Sequence, residues 1–166
     1  MPRLLKPAVV GVLLVLVAAS PALGKGPTKE PYPTDPISFG AGEVCQFPII
    51  IDTLDSRAHV LSWPEDANGV SLQRVGGYYQ NRVTNDATGA SVTFKSNGPA
   101  TFTMYPDGSL DIFARGESLL WFYPGEPYEG LLLTHGYYRA HLSADDVITE
   151  ADIRGPITDV CAMLAG

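Results

Sequence analysis

Cysteine is scarce in this 166-residue chain: there are two, Cys45 and Cys161. Two thiols so far apart make neither a CxxC redox pair nor a cysteine-rich zinc site, both of which need closely spaced ligands. Histidine is nearly as rare, with His59, His135 and His141 only, so there is no HExxH and no His-rich metal cluster. The chain also has no phosphate-binding glycine loop ending in Lys-Ser/Thr, no GxSxG elbow and no complete EF-hand loop. Asp66-Ala67-Asn68-Gly69 resembles part of a calcium loop but lacks the distal Glu, and reads as a turn. No metal or other cofactor is expected.

Positive charge is in short supply as well. Lys and Arg total 11 against 18 Asp and Glu. Arg3 and Lys6 belong to the leader described next, so nine cationic side chains remain against 18 carboxylates, a formal charge of −9. Nucleic acid and anionic membrane surfaces call for a cationic partner, and neither is expected here. The acidic residues are spread out, as on a solvated surface.

Long apolar runs are limited to residues 9–19, too short to cross a bilayer, which takes about 20 residues. Arg3 and Lys6 precede that run, and Ala22-Leu23-Gly24 offers small residues for cleavage, so residues 1–24 read as a signal peptide. No cysteine directly follows the run, as a lipid-anchored protein would need, and no twin-arginine pair precedes it. The mature chain is expected to have no membrane span and to be secreted, extracellular or held at the cell envelope. In that compartment the two cysteines are expected to form one disulfide. Closing a loop of more than a hundred residues, it would stabilise by about 4–5 kcal/mol on chain entropy.

What the chain has in quantity is alternation. In residues 83–116, Val92 and Phe94 alternate with Ser91, Thr93 and Lys95; Ala100, Phe102 and Met104 with Thr101 and Thr103; Leu110 and Ile112 with Ser109, Asp111 and Phe113. A period of two is the signature of strands with one face inward. Asn97-Gly98 and Asp107-Gly108 read as hairpin turns because they supply positive φ, and Asn85–Gly89 reads as the turn before them. With residues 78–84 as the strand before that turn, four consecutive antiparallel strands are expected.

On either side the pattern continues. Residues 25–37 hold four prolines and read as an extended tether. In residues 44–52, Cys45, Phe47, Ile49 and Ile51 share a face, and Pro48 suggests an edge strand. Residues 58–63 and 70–75 are two further strands, the second ended by Gly76-Gly77. Leu119-Leu120-Trp121-Phe122-Tyr123 is apolar on both faces and must be covered twice. Residues 131–142 form a strand or a pair of strands with Gly136 as a bulge, and residues 147–154 are the last strand. Residues 157–164 suit a short helix carrying Cys161 back to Cys45. The sum is one all-β domain over residues 38–166. The expected architecture is an antiparallel up-and-down barrel of roughly ten short strands, with a β-sandwich as the alternative.

Val83-Thr84-Asn85, Thr88-Gly89, Ser91-Val92, Asn97-Gly98-Pro99 and Asp107-Gly108, with Cys45-Gln46-Phe47-Pro48 and Thr158-Asp159-Val160-Cys161, are similar to small, uncharacterised exported bacterial β-domain proteins with a single Cys pair. The resemblance implies secretion, β structure and the Cys pair, and no activity.

One constellation carries possible chemistry. In an unbroken strand His135, Tyr137, Arg139 and His141 share a face, where imidazole, phenol and guanidinium groups suit anion binding or proton transfer. Trp121, Tyr123 and Tyr78, with Tyr79, are the aromatic candidates for a cavity beside it. The expected function is a secreted, non-enzymatic β domain that binds a small apolar ligand or an envelope or extracellular protein. The alternative is a small β-barrel enzyme of isomerase or cyclase type using the His/Tyr/Arg set.

Overall fold

The alternating runs become twelve antiparallel strands and one short helix in the computed structural model, which describes residues 26–166. The segment read as a signal peptide lies outside the described residues. In chain order the strands are β1 (Thr28–Pro31), β2 (Ile37–Phe39), β3 (Ile49–Ser56), β4 (His59–Trp63), β5 (Ser71–Gly76), β6 (Tyr78–Asn85), β7 (Ser91–Asn97), β8 (Ala100–Met104), β9 (Leu110–Phe122), β10 (Gly130–Leu142), β11 (Ile148–Arg154) and β12 (Ile157–Asp159). The helix is α1 (Val160–Leu164). It is shorter than expected because Ile157–Asp159 pair with β10 first, and Asp159 then caps the helix by accepting from the Ala162 amide.

Register shows that many of these strands are halves of longer ones. β7 and β8 keep one register against β9, with Asn97 opposite Glu117 and Ala100 opposite Ala114. β5 and β6 keep one register against β8 and β7, with Val75 opposite Ala100 and Tyr78 opposite Asn97. β11 and β12 do the same along β10, with Tyr137 opposite Arg154 and Thr134 opposite Ile157. The sheet is a meander of long strands, each broken or bent at one level. At that level stand Gly77, Gly98, Gly116, Gly136 and Gly155, all with φ between 91° and 152°. The backbones approach so closely there that a Cβ on Gly98 would collide with the Arg115 carbonyl, and one on Gly116 with that of Asn97.

Asn97-Gly98 is therefore a hinge within a strand, whereas Asp107-Gly108 is a hairpin turn as expected, with the Gly108 amide donating to the Tyr105 carbonyl. Gly136 is likewise a hinge rather than a bulge: β9 and β10 stay in unbroken register past it, from Leu142 opposite Leu110 to Gly130 opposite Phe122. The segment read as a tether contributes β1, whose four residues pair with β4, and the start of β2. Pro48 precedes β3 rather than interrupting it, and β3 is flanked by β2 and β6, so the edge is β2.

The hinges fold the β9–β10 hairpin onto itself. Tyr138 pairs with Ala114, and Phe122 lies eight residues further along β9, about 26 Å away in a straight strand. Yet the Phe122 and Tyr138 rings meet edge to face at 6.1 Å. Past Asn97–Glu117 no further pair joins β7 to β9, and the C-terminal half of β9 leaves its neighbour. That half, with the first half of β10, then packs on both sides. Leu119, Leu131 and Leu133 join Ile49, Ile51, Val83 and Phe94 in one core, closed by Val160 and Leu164 of α1. Leu120, Phe122 and Leu132 join Ala114, Tyr138 and Ala140 in a second. The doubly apolar stretch is covered on both faces only at Leu119 on one side and Leu120 and Phe122 on the other, while Trp121 and Tyr123 stay exposed. Each fully buried Leu or Phe contributes about 1.5–3 kcal/mol.

This folding is why the sheet does not close into the expected barrel. The order runs from β1 and β2 at one side to β11 and β12 at the other, with no pairing between them. The disulfide joins Cys45 to Cys161 as expected, with Cα atoms 5.5 Å apart across 116 residues of sequence.

Candidate functional site

Two surfaces collect the candidate residues, and they lie on opposite sides of the same strands. Even-numbered residues of β10 (Leu132, Tyr138, Ala140) face the second core, so His135, Tyr137, Arg139 and His141 share the other, outward face. They do share a face, but they do not converge. His135 Nδ1 is 3.8 Å from Glu117 Oε2 at the surface. The Tyr137 hydroxyl donates to Asp152 Oδ2 at 3.0 Å, and partial burial followed by that bond pushes its phenol pKa up. Arg139 lies over the Phe113 ring, 5.8 Å from its centre. His141 Nδ1 is 2.7 Å from Asp111 Oδ1, and Tyr105 donates to the other oxygen of that carboxylate at 2.8 Å. These two bonds hold Asp111 below the usual carboxylate range. Each candidate thus has its own neighbour. Of the four, Arg139 and His141 line an open depression of about 410 Å³, with Thr103, Asp111, Phe113 and Glu150, and His135 and Tyr137 do not.

The aromatic candidates divide differently. Trp121 lines a cleft of about 310 Å³ on the inward side, where β9 parts from β7. Its other walls include Val75, Tyr79, Ala100, Phe102 and Tyr138, with Tyr32 closing one side. Tyr79 therefore reaches the cleft, whereas Tyr78 points away and donates to Asp55 Oδ2 at 2.8 Å, under the Arg57 guanidinium. Tyr123 is exposed, its ring 6.3 Å from Phe39. Tyr32 was not among the candidates. It follows β1 and stacks on Tyr79 with centroids 5.3 Å apart and planes within 8°. Its place in the chain, between Pro31 and Pro33 in a proline-rich stretch, gave no sign of this.

The cleft is chiefly apolar. Burial raises the phenol pKa values of Tyr32, Tyr79 and Tyr138, so all three remain neutral donors. Ser118, Leu119, Leu120 and Trp121 border it consecutively, as a strand does when its backbone edge faces a space. That edge is free of ladder partners among the described residues, since Ser118–Phe122 pair with β10 alone. Aromatic walls and an unpaired backbone edge together have the chemistry that suits an apolar body with a polar end.

The fold and cleft define a disulfide-closed all-β domain. Comparison of the chain with protein-family models, curated proteins and solved structures finds no match. Among the described residues no helix is long and apolar enough to cross a membrane.

Proposed function

We propose that the mature chain is an exported binding domain and that its ligand is a small, mostly apolar molecule seated in the cleft between β8, β9 and Tyr32. The observation that carries this is the cleft itself: about 310 Å³, at the lower end of the range for small-molecule sites, with aromatic walls and few polar groups. In this reading Trp121, Tyr79 and Tyr32 supply contact area, while Ser118 and the β9 edge orient a polar end. The unpaired edge also favours a second reading, in which an extended segment of an extracellular protein adds to β9 as a strand.

The test uses Trp121 as reporter in a Trp63→Phe background. Titration with N-phenyl-1-naphthylamine is expected to quench Trp121 and to brighten the probe, and Ala100→Phe, which fills the cleft, is expected to abolish both changes. Native mass spectrometry of protein from its own culture medium is expected to show a retained molecule of small mass. An identical titration in Ala100→Phe, with no retained mass, overturns the small-ligand reading. Retention of a polypeptide instead of a small mass supports strand addition.

A further inference from the structure

The outward face above the glycine row is unlike the rest of the surface. Cross-strand partners point the same way, and one row runs Lys29, Leu61, Arg74, Thr101, Phe113, Arg139, Asp152 across β1, β4, β5, β8, β9, β10 and β11. The row nearer the hinges holds Arg115, Tyr137 and Arg154, and the row farther from them holds Trp63, Leu72, Thr103, Asp111, His141 and Glu150. Five of the nine cationic residues beyond the leader stand on this face, against three of the 18 carboxylates. The face has a formal charge of +2, and the remainder of the mature chain −11.

The guanidinium groups here are ordered without being consumed. Arg115 and Arg139 flank the Phe113 ring, 4.9 and 5.8 Å from its centre, and Arg154 lies 5.3 Å from the centre of Tyr137. Stacking on a ring orients the planar fork while leaving its N–H donors available to an anion. Arg154 is also bonded to Asp152, but among the described residues Lys29, Arg74, Arg115 and Arg139 have no carboxylate within ion-pair distance. At about 4.8 Å per strand the face is almost 30 Å wide, and the depression on it is open to solvent.

We propose that this face binds a linear acidic polysaccharide carrying one carboxylate per sugar ring, with Arg74, Arg115 and Arg139 taking successive carboxylates. A broad face with oriented, uncommitted forks fits carboxylates repeated along an extended chain. The strongly negative remainder of the molecule repels a polymer as densely charged as duplex DNA, with one charge per 1.7 Å or so of helix, and favours the sparser polyanion.

The experiment is affinity electrophoresis of the mature, disulfide-bonded protein through gels containing polygalacturonate, dextran or duplex DNA. Retardation is expected in polygalacturonate and not in dextran, and it is expected to vanish at high salt. Arg74→Gln/Arg115→Gln/Arg139→Gln is expected to bind at least about tenfold more weakly, while Arg57→Gln/Lys95→Gln, which removes as much charge from elsewhere less one, binds as the parent does. If the triple variant has lost its fold by circular dichroism, Arg115→Gln alone must still show the weaker binding. The proposal fails if polygalacturonate does not retard the protein, if the control pair weakens binding as much as the triple, or if duplex DNA binds more tightly.

Discussion

Leu131 and Leu133 stand on the same face of β10 as His135, Tyr137, Arg139 and His141, yet the two leucines are buried and the four polar residues look outward. Gly136 separates Tyr137, Arg139 and His141 from the leucines, with exposed His135 beside it on the leucines' side. Below it the face is covered by β3, β6 and β7, because β9 has left β7 and carried β10 over their inner side. Above it β9 stays paired with β8 in a single sheet, and nothing among the described residues covers the outward face. Alternation decides which residues share a face, but the hinge decides whether another layer lies against it.

The comparison breaks most severely at the hinges. Gly98→Val places a branched side chain against the Arg115 carbonyl, where both partners are backbone and cannot turn aside. A loss of about 4 kcal/mol or more, or failure to fold, is expected. Gly89→Ala is the control. It also has positive φ, but its Cβ would meet nothing within 4 Å, so about 1–2 kcal/mol is expected. Urea midpoints at unchanged m-value measure both.

A smaller effect sharpens the contrast within β10. Leu131→Ala leaves a cavity in the first core and is expected to cost about 2–5 kcal/mol. Arg139→Ala, eight residues along on the same face, is expected to cost under about 0.5 kcal/mol. Similar losses at the two positions would mean that the outward face is covered after all.

The smallest effect concerns the Tyr105–Asp111–His141 group on the outward face. Hydrogen bonds from His141 and Tyr105 lower the Asp111 pKa in the folded state, so this carboxylate stabilises fully above its unfolded pKa of about 4. That contribution is lost as the pH falls through the lower folded value. Asp111→Asn is therefore expected to cost up to about 1 kcal/mol at pH 7, with the gap from the parent closing in strong acid. A gap that persists or widens there would assign the effect to shape rather than charge.

Much of this was legible in the residues. Alternation located nine of the twelve strands and missed β1, β2 and β12. The doubly apolar 119–123 stretch pointed to two covering layers, which Leu119, Leu120 and Phe122 meet while Trp121 and Tyr123 stay exposed. The cysteine pair matched the bridge. The hinge row escaped because Asn-Gly and Gly-Gly look alike in a turn and in a bend. Its signal was present nevertheless: Gly77, Gly98, Gly116, Gly136 and Gly155 follow one another at 21, 18, 20 and 19 residues, one long strand plus one turn each time. For the cleft, adjacent Tyr78 and Tyr79 were equivalent until the pairing of β6 assigned their faces. Net charge, being a sum over the chain, hid five cationic residues gathered on one side.

The sulfur bridge has a mechanical consequence. Strands β3 to β12 all lie between Cys45 and Cys161. Tension applied to the two ends of the oxidised chain would peel away β1 and β2 and then pass straight through the sulfur atoms, leaving the strands between them unloaded. A reductant removes that shunt, and the same pull would then unzip the meander strand by strand.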